Sequence, residues 1–157
     1  MVLDADALTA IAGDPRAIAD GAAARVITPH PGEAARLLGA TAAEVEADRI
    51  GAARALAART GAIAVLKGAR TIVCAGERCW INPTGGPALA TGGSGDVLAG
   101  TIGGLLAQGI PALDAARLGV WVHGAAGDAL ADAHGERGVI ASDLPAAIAS
   151  ALAALAR

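Results

Sequence analysis

The stretch AIAVLKGARTIVCAGERCWIN, residues 62–82, holds three strand patterns in succession and decides the fold class. Residues 62–67 are rich in branched apolar side chains and predict a buried strand. Residues 71–75 and 78–82 flank Gly76-Glu77, and a glycine at the first position of a two-residue turn is typical of a type II′ hairpin. The stretch therefore predicts one strand followed by an antiparallel hairpin.

The register of this hairpin brings the chain's two cysteines together. Cys74 falls directly opposite Cys79, close enough for a cross-strand disulfide. Two cysteines are too few to hold a metal ion. The chain begins Met-Val-Leu-Asp-Ala-Asp, without a basic region or an apolar signal core, so we expect a cytoplasmic protein. In that compartment two reduced thiols are the favoured interpretation.

Strand and helix patterns alternate along the rest of the chain. Upstream, strands are predicted at residues 2–4 and 25–28, and helices at 7–12, 31–39 and 41–60. The third of these helices starts with a capping box formed by Thr41 and Glu44. Downstream, helices are predicted at 95–108, at 112–133, and from a Ser142 cap to the C-terminus. The alternation predicts an α/β fold with a mostly parallel sheet flanked by helices and one antiparallel hairpin.

Composition excludes two classes of partner. The chain has 157 residues, 54% hydrophobic and 17% charged, which is enough for one folded domain with its own core. A net charge of −3 and only two aromatic residues argue against a nucleic-acid-binding surface. The longest uncharged run, residues 97–113, is too short for a bilayer span and contains glycine and proline, so we expect no membrane segment.

The helix predicted after Asp96 is apolar on every face over residues 97–106. Such a helix is expected to be covered all round. Three parallel strands and a hairpin offer few surfaces to cover it, and the chain starts inside a strand. We therefore expect residues 1–157 to be the C-terminal part of a single larger α/β domain, whose N-terminal part is missing.

A glycine-rich loop, residues 90–96, opens this helix with the sequence ATGGSGD. Unpaired amides and the positive end of the helix dipole make such a start a site for anions. Asp96, in the first turn, can take a proton from an attacking hydroxyl group. The loop is not a Walker motif or a dinucleotide fingerprint. From spacing alone, a structural cap and a phosphate site are equally favoured.

Two further segments end strands with polar residues. Lys67, the only lysine of the chain, leaves a predicted strand just before Gly68, where it is well placed to meet a phosphate. Residues 28–33, TPHPGE, form a rigid turn that holds His30 between two prolines. Because ligands of open α/β sheets gather at the carboxyl ends of strands, both segments are candidates for a binding site. Glu33 on its own suits the acidic start of a helix.

Taken together, these segments resemble the ribokinase-like family, and one branch of it closely: the ADP/ATP-dependent NAD(P)H-hydrate dehydratases, also known as the YjeF C-terminal domain. The glycine-rich loop is common to many small-molecule kinases of the superfamily. His30 separates the branch, because the sugar and vitamin kinases usually carry Asn at that position. The matching runs are residues 2–8, 28–33, 66–71, 82–85, 90–100, 123–128 and 141–144.

The resemblance implies a role for each matching residue. Asp96 would be the catalytic base and would contact the hydrated nicotinamide, and His30 would also line the substrate site. Glu33 would help to hold Mg²⁺ through water, whereas the mid-helix His123 is interpreted as packing. The nucleotide would be bound by Lys67, Gly68, Ala69, Arg70, Thr71 and Gly95, and the transferred phosphoryl group by an anion hole of Gly92, Gly93, Ser94 and Gly95.

The resemblance also implies a reaction. ADP or ATP would phosphorylate the ring hydroxyl of hydrated NADH or NADPH, and elimination of phosphate would restore the reduced nicotinamide. Family domains have a further N-terminal stretch of about a hundred residues, and an epimerase domain often accompanies them. A homo-oligomer or a complementing N-terminal half is therefore expected as a partner.

Two other functions stay open at this stage. One is a ribokinase-like small-molecule kinase of the thiazole or hydroxymethylpyrimidine type, against which His30 argues. The other is a non-catalytic fragment that binds nucleotide, or that associates through an uncovered sheet edge.

Overall fold

The computed structural model describes residues 1–19 and 24–155, and within them five strands form one sheet in the order β1-β2-β3-β4-β5. The strands are β1 (Val2–Leu3), β2 (Val26–Ile27), β3 (Ile63–Leu66), β4 (Ile72–Ala75) and β5 (Arg78–Ile81). β1, β2 and β3 are parallel, and β4 is antiparallel to both of its neighbours. β5 therefore points the same way as β3, which confirms the mostly parallel sheet with one antiparallel hairpin.

Helices cover both faces of the sheet. One face packs against the helices that precede the hairpin, and the other against the first two helices that follow it; the last helix packs on those two helices. The first group is α1 (Asp6–Ala10), α2 (Pro31–Leu38), α3 (Ala42–Ala47) and α4 (Arg49–Thr60); the second is α5 (Ser94–Ala107), α6 (Ala112–His134) and α7 (Leu144–Leu155). Single 3-10 turns lie at Pro15–Ile18, Pro87–Leu89, Glu136–Gly138 and Ala141–Asp143.

The strands alternate between two apolar layers. Ile27 and Leu66 belong to the cluster formed with α1, α2, α3 and α4. Val65 and Val73 belong to the cluster formed with α5 and α6. Because neighbouring side chains of a strand point to opposite faces, both faces of these strands are buried. This explains the nearly continuous apolar runs in the sequence.

The long helix predicted over residues 41–60 is wrong, because the chain leaves the helical conformation at Asp48. Its φ and ψ are −138° and 76°, and its carboxylate accepts a hydrogen bond of 2.8 Å from the Gly51 amide. Asp48 thus ends α3 and caps α4. The predicted capping box at the start of α3 is confirmed: the Glu44 amide donates to Thr41 Oγ1 and the Thr41 amide to Glu44 Oε2.

The hairpin has the predicted register, with Cys74 opposite Cys79. The expectation of two reduced thiols is wrong for this structure, in which a disulfide joins the two residues. Their Cα atoms are 4.2 Å apart, because directly opposed residues of an antiparallel pair approach this closely. The hairpin is therefore covalently closed.

The last helix starts later than its predicted cap. Ser142 lies inside the 3-10 turn Ala141–Asp143, and α7 begins at Leu144. Within this turn the Asp143 carboxylate, not Ser142, accepts a hydrogen bond of 3.3 Å, from the Ile140 amide. The predicted continuation of the helix into residues 156–157 falls outside the described residues.

The helix that was expected to need cover on every side is α5. Leu98, Ile102 and Leu105 are buried on its inner side. Its outer side carries Gly100 and Gly104, which are exposed. Because a glycine leaves very little apolar surface in contact with water, this face costs far less to expose than a face of Leu or Ile would.

α5 and α6 approach closely at Gly119, which gives a stability prediction. A methyl group at Gly119 would lie 2.6 Å from Ile102 Cγ1, whereas one at Gly100 would meet nothing within 4 Å. Both glycines lie inside helices, so alanine improves helix propensity at both by up to about 1 kcal/mol. Overpacking at Gly119 costs about 2 kcal/mol. We expect Gly119→Ala to be less stable than Gly100→Ala by about that amount in urea unfolding.

Equal unfolding free energies for the two variants would contradict this prediction. They would show that the Ile102 side chain moves away at no cost, and that the close approach of α5 and α6 does not limit stability.

Candidate functional site

The polar residues of the candidate site follow the carboxyl ends of the three parallel strands. Asp4 follows β1, the Thr28–Glu33 turn follows β2, and Lys67 follows β3. The sheet order therefore places them side by side. The start of α5 reaches the same edge, because a methyl group at Gly95 would lie 3.2 Å from Lys67 Nζ. This is the edge at which open α/β sheets bind ligands.

His30 and Glu33 form a reciprocal cap at the start of α2. The amides of Gly32 and Glu33 donate to His30 Nδ1 at 3.0 and 3.4 Å, and the His30 amide donates to Glu33 Oε2 at 2.8 Å. Since Nδ1 accepts, Nε2 carries the ring proton, and it lies 3.4 Å from Glu33 Oε1. The imidazole is 54% exposed and Glu33 only 7%. A buried carboxylate thus fixes an accessible imidazole.

Lys67 reaches across the end of β2 and pairs with the carboxylate that follows β1. Its Nζ donates a hydrogen bond of 2.8 Å to Asp4 Oδ1 and lies 4.0 Å from Glu33 Oε2. The Lys67 side chain is 20% exposed and that of Asp4 13%. The one lysine of the chain therefore lies between the carboxylates of Asp4 and Glu33, at the edge of the site.

The start of α5 has the geometry expected of an anion site. Gly93 caps it with φ 86°, a conformation that favours glycine, and Ser94, Gly95 and Asp96 form the first turn. Amides of a first turn lack partners within the helix and point outward; of these, the Ser94 amide donates to the Thr91 carbonyl of the preceding loop at 3.2 Å. The Asp96 side chain is exposed. Asp96 is thus free to approach a ligand from solvent, beside the outward amides.

The loop that connects β3 to β4, residues 67–71, has two residues with positive φ angles and is hydrogen-bonded to Arg49. Gly68 has φ 134° and Arg70 has φ 54°. Arg49 Nη2 donates to the Lys67 carbonyl at 3.2 Å, and Thr71 Oγ1 donates to the Gly68 carbonyl at 3.2 Å. This loop passes the cavity with its backbone fixed at both ends.

A cavity of about 660 Å³ lies between this loop, the start of α5 and the middle of α6. Its lining includes Lys67–Thr71, His30, Ser94 and Gly95, so the structure brings together the predicted nucleotide-binding residues and one predicted substrate residue. Glu33, Gly92, Gly93 and Asp96 stand outside the lining. The predicted site residues thus fall into two groups: those that line the cavity and those that stand outside its lining.

The other wall of the cavity was not predicted as part of the site. It is the segment after β5, where Asn82 Nδ2 donates to the Thr84 carbonyl at 2.8 Å and Thr84 Oγ1 donates to the Trp121 carbonyl at 2.9 Å. Gly124 on α6 packs against Thr84 with no room for a side chain. These contacts fasten the loop to α6. The sequence signal was the run Asn-Pro-Thr-Gly, which matched the family without an assigned role.

His123 was interpreted as a packing residue, and in the structure it is also a hydrogen-bond partner of Ser94. Its Nε2 lies 3.0 Å from the Ser94 carbonyl, which can only accept, so Nε2 carries the proton. Ser94 Oγ is 3.3 Å from the same nitrogen. Both residues are buried, and both line the cavity. A hydrogen bond from His123 on α6 thus holds Ser94, the first residue of α5, in place.

The protonation of His123 gives a second prediction. Burial lowers the pKa of His123, and the hydrogen bond to the Ser94 carbonyl opposes this shift only partly. With a folded pKa below the unfolded one, the neutral imidazole stabilises the fold above about pH 6.5, and this stabilisation is lost as pH falls. Gln keeps a donor for Ser94 but does not titrate. We expect the unfolding free energy of His123→Gln to fall less than that of wild type between about pH 7 and about pH 5.

Parallel stability curves for the two proteins over that pH range would contradict a buried, neutral His123.

The fold and the site define a class of protein: a ribokinase-like α/β protein with a glycine-rich loop at the start of a helix beside the cavity. A solved ribokinase-like superfamily protein from Enterococcus faecalis overlays on 96% of this chain and 52% of its own, with a TM-score of 0.73 and 28% identity. The family model described as NAD(P)H-hydrate dehydratase matches residues 1–150. The chain belongs to the NAD(P)H-hydrate dehydratase family, and the resemblance found in the sequence is confirmed.

Named relatives agree with this assignment. The ADP-dependent (S)-NAD(P)H-hydrate dehydratase of Neisseria meningitidis is 49% identical over 152 residues, 94% of this chain and 51% of its own. The bifunctional NAD(P)H-hydrate repair enzyme of Escherichia coli is 51% identical over 145 residues, 92% of this chain and 27% of its own. A Bacillus subtilis ADP/ATP-dependent NAD(P)H-hydrate dehydratase, co-crystallised with ATP and Mg²⁺, overlays with a TM-score of 0.85 and 33% identity, over 98% of this chain and 54% of its own.

The chain thus spans between about a quarter and about half the length of these relatives. Among the described residues, no helix is long and apolar enough to cross a membrane.

Proposed function

We propose that this chain acts in the nucleotide-dependent dehydration of hydrated NADH or NADPH, as the C-terminal part of a single ribokinase-like domain. One observation carries the proposal: the loop Lys67–Thr71 and the start of α5 meet across one cavity. A lysine, a fixed loop and outward-facing amides are the groups that bind nucleotide phosphates in proteins. The names of the relatives support the reaction, and the residues that line the cavity support its use as the nucleotide site.

The proposed roles follow the position of each residue. Residues 67–71 and Gly95 line the cavity and would bind ADP or ATP. The anion hole formed by residues 92–95 would receive the transferred phosphoryl group at the helix start. His30, exposed at the cavity edge, would contact the hydrated nicotinamide. Asp96, exposed in the first turn of α5, would meet the ring hydroxyl from the solvent side.

Glu33 fits a magnesium ion only through water. Its two oxygens already face the His30 amide and the His30 ring proton, so direct ligation would have to break this cap. Mg²⁺ commonly keeps several water ligands and takes its others from carboxylates and substrate phosphates. Bound in this way, the ion would neutralise part of the charge on the phosphates.

The chemistry can be followed through this chain's own residues. Asp96 would accept the proton of the ring hydroxyl, whose oxygen then bonds to the terminal phosphorus of the nucleotide. The bond from that phosphorus to the bridging oxygen of the nucleotide breaks. The leaving group is AMP when the nucleotide is ADP, and ADP when it is ATP. Lys67 and the amides of residues 92–95 would stabilise the charge on the transferred group. Phosphate then leaves the ring together with a ring proton, which restores NADH or NADPH.

The test is a phosphate-release assay with the purified chain, Mg²⁺, hydrated NADH, and ADP or ATP. A dehydratase releases one inorganic phosphate for each NADH formed, and only when nucleotide and hydrate are both present. A small-molecule kinase would consume nucleotide but leave the phosphate on its acceptor. A non-catalytic nucleotide-binding fragment would do neither, even with an N-terminal half added, and either of these results would overturn the proposal.

The expected partners are tested in the same assay. Because the chain spans about half of the Neisseria relative, the other half of that enzyme can be added in trans as a complementing N-terminal half. Activity that appears only after this addition would assign this chain to the nucleotide half of a split site. The expected homo-oligomer stays a prediction, which the mass of the chain in solution tests, and so does the cytoplasmic location.

A further inference from the structure

Within residues 1–19 and 24–155, Asp4 is the one residue at hydrogen-bond distance from the Lys67 ammonium, and the proposed function leaves it without a role. The two side chains are 63 residues apart in sequence and meet at 2.8 Å. Glu33, the other carboxylate nearby, lies 4.0 Å from Nζ and is engaged with His30. Asp4 is therefore the direct partner of Lys67.

Electrostatics makes this partner necessary. The Lys67 ammonium lies at the start of α5, since a methyl group at Gly95 would be 3.2 Å from Nζ and 3.8 Å from Asp4 Oδ2. The start of a helix carries partial positive charge, which repels a cation. A long lysine side chain in that position would extend into solvent unless an anion held it. The Asp4 carboxylate is that anion: it accepts a hydrogen bond from the ammonium and lies beside the helix start.

The backbone next to Asp4 has a strained conformation, which fixes the position of Asp4 between β1 and α1. Ala5 has φ 48° and ψ −118°, a conformation that a residue with a Cβ adopts only at a cost. This turn allows β1 to end at Leu3 and α1 to begin at Asp6, with Asp4 between them. Asp6, two residues on, is exposed. The two carboxylates of this segment therefore differ in one respect that can be tested: only Asp4 pairs with Lys67.

We propose that Asp4 is a positioning residue, which holds the Lys67 ammonium at the start of α5, where the terminal phosphoryl group of the nucleotide must lie. This inference rests on the proposed function for its purpose, but the pairing itself can be tested without activity. Asp4 does not touch the nucleotide. It acts by fixing a side chain that does.

Because Lys67 is the only lysine, its reaction with an amine-directed acylating reagent can be followed by peptide mass spectrometry, apart from the N-terminal amine of Met1. Asp4→Asn removes a hydrogen bond to a charged group, and we expect Lys67 to react about tenfold faster. Asp4→Glu restores the carboxylate and should return the rate towards wild type. Asp6→Asn makes the same charge change two residues away and should leave the rate unchanged.

An Asp4→Asn variant whose Lys67 reacts at the wild-type rate would overturn the proposal. So would an Asp6→Asn variant that accelerates the reaction as much as Asp4→Asn does. If Asp4→Asn fails to fold, as judged by circular dichroism, Asp4→Ala takes its place in the same comparison. A folded Asp4→Ala variant whose Lys67 reacts at the wild-type rate would overturn the proposal.

Kinetics separates positioning from a merely structural role. Removing a negative charge from an anion site does not weaken its affinity for a nucleotide, whereas a misplaced lysine stabilises the transition state less well. We expect Asp4→Asn to lower kcat about tenfold with the ADP affinity equal or tighter. An unchanged kcat in a folded Asp4→Asn variant would contradict positioning.

Failure of the proposed function gives a different result. If ADP did not slow the acylation of Lys67 in the wild-type chain, the nucleotide site would be wrong, while the comparison of Asp4→Asn with wild type would still decide the pairing.

Discussion

Replacing Asp96 with Asn is expected to lower the dehydratase turnover about a thousandfold, because general-base catalysis contributes about 10²- to 10⁴-fold. Asn keeps the size of the side chain and its place in the first turn of α5, but it cannot accept the hydroxyl proton. Asp96 is exposed, so the substitution costs at most a few tenths of a kcal/mol of helix stability. ADP affinity should be unchanged or tighter, since a negative charge beside an anion site is removed.

Asp114 offers a matched control. It is also a carboxylate in the first turn of a long helix, at the start of α6, and it stands outside the lining of the cavity. Asp114→Asn should turn over like wild type. Steady-state assays at saturating nucleotide decide the matter: an Asp96→Asn variant with a normal rate would remove Asp96 from the role of base.

Replacing Lys67 with Met is expected to weaken ADP binding at least tenfold and to lower turnover by about 10²-fold or more. The substitution keeps the apolar stem but removes the ammonium. It also leaves Asp4 and the buried Glu33 without their shared cation, so the mouth of the site becomes negatively charged and repels phosphate. Both effects act in the same direction. Calorimetric titration with ADP and steady-state kinetics measure them separately.

Arg54→Met is the control for the loss of one positive charge, because Arg54 is exposed on α4. Lys67→Arg is a second control, because it keeps the positive charge at this position. Circular dichroism shows whether each variant protein folds normally. Wild-type ADP affinity in a folded Lys67→Met protein would contradict the assignment of the cavity to the nucleotide phosphates.

The sequence predicts those parts of the fold that depend on neighbouring residues. The turn at Gly76-Glu77 sets the register of Cys74 and Cys79, and Thr41 with Glu44 marks the start of a helix. The break at Asp48 was missed, because an aspartate in a helical pattern can either continue the helix or cap the next one. The choice depends on its φ and ψ angles, which the pattern does not show.

The candidate site was predictable in its parts but not in its connections. Glycine-rich loops and a lone lysine are visible in the sequence. The pairing of Lys67 with Asp4 depends on the strand order β1-β2-β3, and the contact of His123 with Ser94 depends on how α6 packs beneath α5. Both contacts join distant residues, so only the folded chain brings them together.

The most direct test of the proposed function is the return of reduced-nicotinamide absorbance when the purified 157-residue chain is mixed with hydrated NADH, Mg²⁺, and ADP or ATP. We expect absorbance to return with nucleotide, to stay absent without it, and to stay absent in the Asp96→Asn variant. If no absorbance returned with either nucleotide, alone or with the N-terminal half of the Neisseria relative added, although ADP still bound, the dehydratase function proposed for this chain would be contradicted.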